Sequence, residues 1–450
     1  MMTLKKIAAC AGVLCATGLF GTQNALAALP IQHWTQPSGA QVYLVESPSI
    51  PILDVQIDVD AGSRRDPAAQ AGLAAATADL ATNGVRAVGG LPALDENALG
   101  EAWADLGASF GASASADRMS FSLRTLTEPD LLDRAITLAA RQLGEPAFAA
   151  DIWTRDRARM TASWKEATTR PAVQAGRAFA AAVYGSHPYG FESTPDTWAR
   201  ISVADMQALY SRSILPCRAK VSVVGAVTRA QADTLVQRLL ARLPQTACSQ
   251  LPPQAVVPEV QPLQQASERR IPFDSAQAHV YIGQPGMARN NPDYFALTVG
   301  NYILGGGGFV SRLTTEVRER RGLSYSVFSD FAPGLHAGAF TIGLQTRPDQ
   351  ANEAVQVVRK VVSDFVAAGP TEVELDAAKS NLIGGFALRI DSNRKLLGNV
   401  ANIAWHGLPL DYLDTWTQQV ARVSTADIRR AFARVLQPEA MATVVVGGAP

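Results

Sequence analysis

Residues 201–225 read ISVADMQALYSRSILPCRAKVSVVG, and residues 423–447 read VSTADIRRAFARVLQPEAMATVVVG. The two stretches align without a gap at an offset of 222 residues. Ser202, Ala204, Asp205, Arg212, Pro216, Val223, Val224 and Gly225 recur as Ser424, Ala426, Asp427, Arg434, Pro438, Val445, Val446 and Gly447. Each copy reads as a serine N-cap, an amphipathic helix, a proline stop and an apolar strand ending in glycine. Solenoid periods run from about 20 to 50 residues, so a repeat this long predicts two homologous domains instead.

The junction between them is CSQLPPQAVVPEVQPLQQASERR, Cys248 to Arg270, with four prolines and no clear period. It reads as a semi-extended linker over residues 248–267, between an N-terminal domain over 28–247 and a C-terminal domain over 268–450. Alternating stretches QVYLVES, ILDVQIDVD, RMSFSLRTL, AHVYIGQ and GAFTIGLQT predict strands. Helical patterns cover Leu131–Leu143, Asp151–Thr168, Val173–Val183, Tyr294–Leu304, Gln350–Ala368 and Glu372–Arg389. Strands and longer helices in separate blocks predict an α+β chain, each domain a mostly antiparallel sheet with helices packed on one face.

With 450 residues and 47% apolar composition the chain can bury two large cores. Lys and Arg together number 40, as do Asp and Glu, so no basic field points to nucleic acid. Lys5 and Lys6, an apolar run from Ile7 to Phe20, and Ala25-Leu26-Ala27 predict a signal segment over 1–27, cleaved near Ala27, and a periplasmic location. The alternative, lipidation at Cys10, has little apolar sequence before it. Removal of 1–27 takes two lysines and no acid, leaving 38 basic against 40 acidic residues. No later stretch has 18 or more uncharged apolar residues, so no membrane span is expected. Cys217 and Cys248 then remain; in an oxidising compartment they predict a disulfide, the alternative being two unpaired thiols.

One block stands out for chemistry: GGGGFVSRLTTEVRERRGLSYSVFS, Gly305 to Ser329. Phe309, Leu313 and Val317 form an apolar helical stripe, with Ser311 as a cap and Gly322 as a left-handed stop. Leu323 to Ser329 reads as a strand. By spacing alone, Arg318 is a solvated helix residue beside Glu319, Arg320 and Arg321, and Tyr325 is core. The five histidines, His33, His187, His279, His336 and His406, include no two that are four apart, so no histidine pair shares a helix face.

The order of several pieces carries a family resemblance. They are Val42–Val45, Val59–Arg64, Gly72–Ala74, Gly107–Leu126, Tyr184–Gly190 and the 305–329 block. Together they resemble the pitrilysin-type (M16, inverzincin) peptidases across almost the whole chain after residue 27. Active members hold zinc with a helix H-x-x-E-H and a distant glutamate. Here the helix positions are Ala75, Ala76, Thr77, Ala78 and Asp79, and the distant position is expected near Ala162-Ser163, with Glu166 out of register. The resemblance therefore implies no metal site and no cofactor in this chain.

It also implies that Arg318 and Tyr325 contact the substrate carbonyl. A guanidinium and a phenol can both donate to the oxyanion that forms when a peptide bond is attacked. Gly111, Ala112 and Ser113 resemble an edge strand on which substrate backbone adds as a further strand; an ordinary edge strand is the equal alternative. His187 reads as a structural loop histidine. Two-subunit bacterial members divide the site, so the implied partner is a zinc-bearing paralogue with H-x-x-E-H, and the implied substrate a peptide or unfolded polypeptide. Alone, such a chain is not expected to be active. The alternatives are an inert scaffold and a chamber that binds peptides without cleaving them.

Overall fold

The computed structural model describes residues 30–448. The segment read as a signal, with its cleavage point near Ala27, lies outside the described residues.

The first half builds a six-stranded sheet from β1 (Gln32–Thr35), β2 (Gln41–Glu46), β3 (Ile52–Val59), β4 (Ser109–Ala114), β5 (Met119–Leu126) and β6 (Lys220–Gly225), in the order β1-β2-β6-β3-β5-β4. The second half builds a five-stranded sheet from β7 (Ser267–Ile271), β8 (Ala278–Pro285), β9 (Val327–Phe331), β10 (Ala339–Thr346) and β11 (Ala442–Val446), in the order β7-β11-β8-β10-β9. Each sheet has one parallel pairing, β2 with β6 and β7 with β11, and is otherwise antiparallel. Setting β1 aside, the two sheets have the same order and the same directions, with β4 and β9 as matching edges.

The 222-residue offset is a structural offset. The helices Val203–Ser213 and Thr425–Val435 are so related, as are the short turns Pro216–Arg218 and Pro438–Ala440. Each helix opens with a capping box, Ser202 with Asp205 and Ser424 with Asp427, which satisfies two of the orphan N–H groups at the helix start. The same offset also relates the helices Pro171–Tyr184 and Asn393–His406, and the glycines that follow them, Gly185 and Gly407, both have positive φ. The repeat therefore begins about thirty residues before its side chains become recognisable.

Those two helices are exchanged between the halves. Pro171–Tyr184 packs on β8 and β11 of the second sheet, and Asn393–His406 packs on β6, β3 and β2 of the first. Ala175, Phe179 and Val183 meet Tyr281, Val444 and Val446, while Tyr43, Val45 and Val224 share a core with Leu397 and Val400. Helices of the same half cover each sheet's other face. Burial on both faces explains the near-continuous apolar runs in β2, β6 and β11, where one-faced strands would alternate.

Polar contacts fix the seam between the halves. The Tyr189 hydroxyl donates to Asp117 Oδ1 at 2.6 Å, and the Leu335 amide donates to Asp117 Oδ2 at 2.9 Å. Arg64 pairs with the same carboxylate at 3.2 Å. His187 is buried; its Nδ1 accepts from the Tyr189 amide at 3.1 Å, which leaves Nε2 to donate to the Pro258 carbonyl at 2.9 Å. Cys217 and Cys248 are joined by a disulfide, which ties the end of the Val203 helix to the start of the proline-rich crossing.

Candidate functional site

The helix Leu73–Ala81 packs along the edge strand β4. Asp66 holds its start, accepting from the Gly72 and Ala74 amides at 2.9 and 3.0 Å. Ala75 and Asp79, one turn apart, are exposed, and Ala76, Thr77 and Ala78 are buried. Thr77 turns its hydroxyl back to the Leu73 carbonyl at 2.7 Å. The face that two histidines would share thus carries one methyl and one carboxylate.

The residue that the long helix Ala150–Ala167 sets against Asp79 is Asp156. It lies about two turns earlier than the Ala162-Ser163 register expected from Pro171 and His187–Gly190. Asp156 is 1% exposed and pairs with Arg155 at 3.0 Å and Arg159 at 3.3 Å. Burial and the nearby Asp156 raise the Asp79 carboxyl above its ordinary range, and Arg159 opposes them. Zinc does not fit this donor set. Two carboxylates without an imidazole or thiolate fall short of the three protein ligands of a catalytic site, and guanidinium groups already neutralise them. No group of three or more His, Cys, Asp or Glu side chains among the described residues is arranged to hold a metal ion.

The 305–329 block folds differently from a simple helix and strand. Gly308 adopts φ 62°, and Gly308–Val310 forms a separate 3-10 turn, so Phe309 leaves the predicted stripe and stands 68% exposed. Leu313 and Val317 remain buried. Ser311 accepts from the Thr314 amide at 3.4 Å, and Gly322, at φ 63°, ends the helix with its amide on the Arg318 carbonyl at 2.9 Å. Thr314–Glu319 is a π-helical turn, a widened form found often at functional sites. The strand begins only at Val327, so Tyr325 sits on the loop before it and is 81% exposed, not core. Gly305 lies against β9: a Cβ there would come within 2.5 Å of the Ser329 amide nitrogen.

These turns bring Arg318 and Tyr325 together. The Arg318 guanidinium carbon lies 4.5 Å from the Tyr325 ring centre and 4.7 Å from that of Phe309. Cation–π contact holds it between two exposed rings. Its neighbours Arg320 and Arg321 both pair with Glu316, at 2.6 and 2.5 Å. Among the described residues Arg318 has no carboxylate partner. Arg318 is half-buried, and neither its guanidinium N–H groups nor the Tyr325 hydroxyl has a hydrogen-bond partner among the described residues. Phe309 went unrecognised in the sequence, although its place directly after four glycines marked it as a loop residue.

Gly111, Ala112 and Ser113 lie on β4, which pairs only with β5 and leaves its outer edge open. A Cβ on Gly111 would meet nothing within 4 Å. They stand on the first sheet, and the Arg318 and Tyr325 pair stands beside the second.

The fold is that of a peptidase-like chain whose 73–81 helix carries no histidine. A family profile described as "Peptidase M16 inactive domain" matches residues 200–382. A peptidase M16 inactive domain from Pseudomonas fluorescens, solved by crystallography, is similar over 94% of this chain and 98% of its own, with 32% identity and a TM-score of 0.87. The periplasmic protease PqqL from Escherichia coli shares the fold over 93% of this chain and 45% of its own, with 18% identity and a TM-score of 0.78. The non-peptidase homolog YmxG of Helicobacter pylori is 34% identical over 165 residues, 36% of this chain; the match spans only 38% of that relative's length. The chain belongs to the M16 peptidase family. No helix among the described residues is long and apolar enough to cross a membrane.

Proposed function

We propose that this chain is the non-metal subunit of a periplasmic two-subunit M16 peptidase, in which a paralogue with an intact H-x-x-E-H supplies zinc. Its N-terminal domain then spans 28–247, its linker 248–267 and its C-terminal domain 268–450, after loss of 1–27. The supporting observation is the contrast between two sites. Half-buried Arg318 and exposed Tyr325 lie together, free of acidic partners among the described residues, while the helix at 73–81 has no set of metal donors.

Arg318 and Tyr325 bind the carbonyl of a peptide or unfolded segment and donate hydrogen bonds to the oxyanion as it forms. Gly111, Ala112 and Ser113 offer an open strand edge to the peptide backbone. The isolated chain hydrolyses nothing. A mixture of this chain with a zinc-bearing relative from the same genome, assayed on a quenched fluorescent peptide, tests the reading. Activity of the mixture that falls about 100-fold with Arg318→Ala or Tyr325→Phe supports it, since a lost oxyanion donor costs about that much. Unchanged rates remove both residues from catalysis. Chelator-sensitive activity of the isolated chain overturns the division of labour.

A second reading, a chain that holds peptides without taking part in cleavage, is favoured by the description of its relatives as an inactive domain and a non-peptidase homolog. Peptide binding with no activity in any such mixture would select it.

A further inference from the structure

A pocket of about 230 Å³ opens beside Tyr325, on the face of the second sheet that the Pro171 helix only partly covers. His279 and Tyr281 on β8 form one wall, and Phe328 on β9 forms the opposite one. Gly343 on β10 lies between them, in register with both Tyr281 and Phe328. A Cβ on Gly343 would lie 2.5 Å from the Phe328 ring and 3.2 Å from the Tyr281 ring, so the two rings occupy space that only glycine leaves open. Tyr281 is fixed from behind by stacking on Phe179, with ring centres 5.5 Å apart. Ala172, from the first turn of the same helix, closes one end. Tyr325 forms the rim, and its ring also carries Arg318.

We propose that this pocket receives one uncharged apolar or aromatic side chain of the peptide held by Arg318 and Tyr325, and so sets a side-chain preference. The proposal rests on the carbonyl-binding role given to that pair above. Three features choose the occupant. No Asp, Glu, Lys or Arg lines the pocket, so a charged side chain entering it would lose water and gain no partner of opposite charge. Tyr281, Tyr325 and Phe328 give the pocket three aromatic rings beside the uncharged polar Gln277, Ser326 and Gln345, and Phe328 is 43% exposed, apolar surface left uncovered at a sheet edge. The volume is below the roughly 300–1,000 Å³ of sites that take whole small molecules, and suits a single side chain. Burial also holds His279 below the ordinary imidazole range, which keeps it uncharged at neutral pH.

Fluorescence anisotropy of the full chain with labelled extended peptides tests this. Each position of the peptide is in turn Phe, Leu, Ala, Glu or Lys. At one position Phe and Leu are expected to bind about tenfold or more tighter than Ala, with Glu and Lys weakest, because a methylene in an apolar pocket is worth about 10-fold or more. Gly343→Val displaces the Phe328 and Tyr281 rings that form the walls and should level Phe, Leu and Ala to within about twofold, with the Ala peptide still bound at its original affinity. If circular dichroism shows that Gly343→Val does not fold, Phe328→Ala at the half-exposed edge should give the same levelling. Arg318→Ala should weaken every peptide alike. Binding that needs Arg318 but ignores the side chain and Gly343→Val overturns the pocket and leaves the carbonyl-binding role intact. Discrimination unaffected by Arg318→Ala overturns the role of that residue, and no binding by any peptide overturns both.

Discussion

The Lys220 ammonium donates to the Ala404 carbonyl at 2.7 Å and to the Trp405 carbonyl at 3.1 Å, and so closes the C-terminal end of a helix that belongs to the other half of the chain. Helix ends leave carbonyls without partners and carry partial negative charge, so a cation there satisfies both needs. Burial lowers the Lys220 pKa, and Asp58 and Asp60 oppose that shift. Lys220→Met is therefore expected to cost about 1–3 kcal/mol, the range for a hydrogen bond to a charged group together with the stranded carbonyls. Urea denaturation would measure it. A loss below about 0.5 kcal/mol, the usual range of a neutral surface change, would show that the exchanged helix is held by its apolar face alone.

His406 ends the same helix. Burial, helped by Arg289, Arg118 and Lys220 and opposed by Asp117, holds its imidazole down to about 4 from 6.5. Between those values the unfolded chain takes up a proton that the folded chain refuses. Stability is then fully present above pH 6.5 and falls on acidification toward pH 4. Glu374, held down to about 2 by its hydrogen bonds from Arg312 against the effect of burial, continues the loss below its ordinary 4.5. Asp66, pushed up to about 6 from 3.8 by burial, acts in the opposite sense between those values. His406→Phe isolates the first contribution, because the other two are common to both proteins. The variant is expected to lose less stability than the parent between about pH 7 and pH 4.5. Parallel pH profiles of melting temperature would contradict this assignment.

The Cys217–Cys248 bridge closes a loop with a sequence separation of 31 residues. In the chain-entropy model a loop of that size stabilises by about 3–4 kcal/mol. The double variant Cys217→Ser/Cys248→Ser should unfold at correspondingly lower denaturant concentration. It should also resemble the parent measured in reducing agent. Equal midpoints with and without reductant would show that the bond does not limit the unfolded chain.

Arg318, Arg320 and Arg321 are close in sequence but differ in what they touch. Arg320 and Arg321 are spent on Glu316, and Arg318 is stacked on Tyr325 and Phe309. In the proposed mixture with a zinc-bearing relative, Arg320→Ala is expected to stay within about threefold of the parent rate, against about 100-fold for Arg318→Ala. Similar losses from both would point to a general basic surface and not to a directed donor.

Much of the architecture was legible before any coordinates. The predicted helices at 131–143, 151–168 and 173–183 appear as Pro129–Gly144, Ala150–Ala167 and Pro171–Tyr184; the Glu128 cap and Pro129 mark the start of the first and Pro171 that of the third. The 305–329 block was less legible. Its apolar stripe ran through Gly308, whose left-handed backbone separates Phe309 from Leu313, and periodicity does not register a break at a single residue. Asp156 was missed because a buried acidic residue on a charged helix looks the same in sequence as a solvated one.

The sequence by itself determined the repeat, the strands and helices of each half, and the loss of imidazoles from the 73–81 helix. These are local properties or pairwise matches of residue types, readable from spacing and chemistry. Tertiary structure alone decided three things: the exchange of the Pro171 and Asn393 helices between sheets, the stacking of Arg318 on Tyr325, and the pocket that opens beside Tyr325. Each depends on which face of an element meets which neighbour. An apolar face records that it will be buried, but not against what.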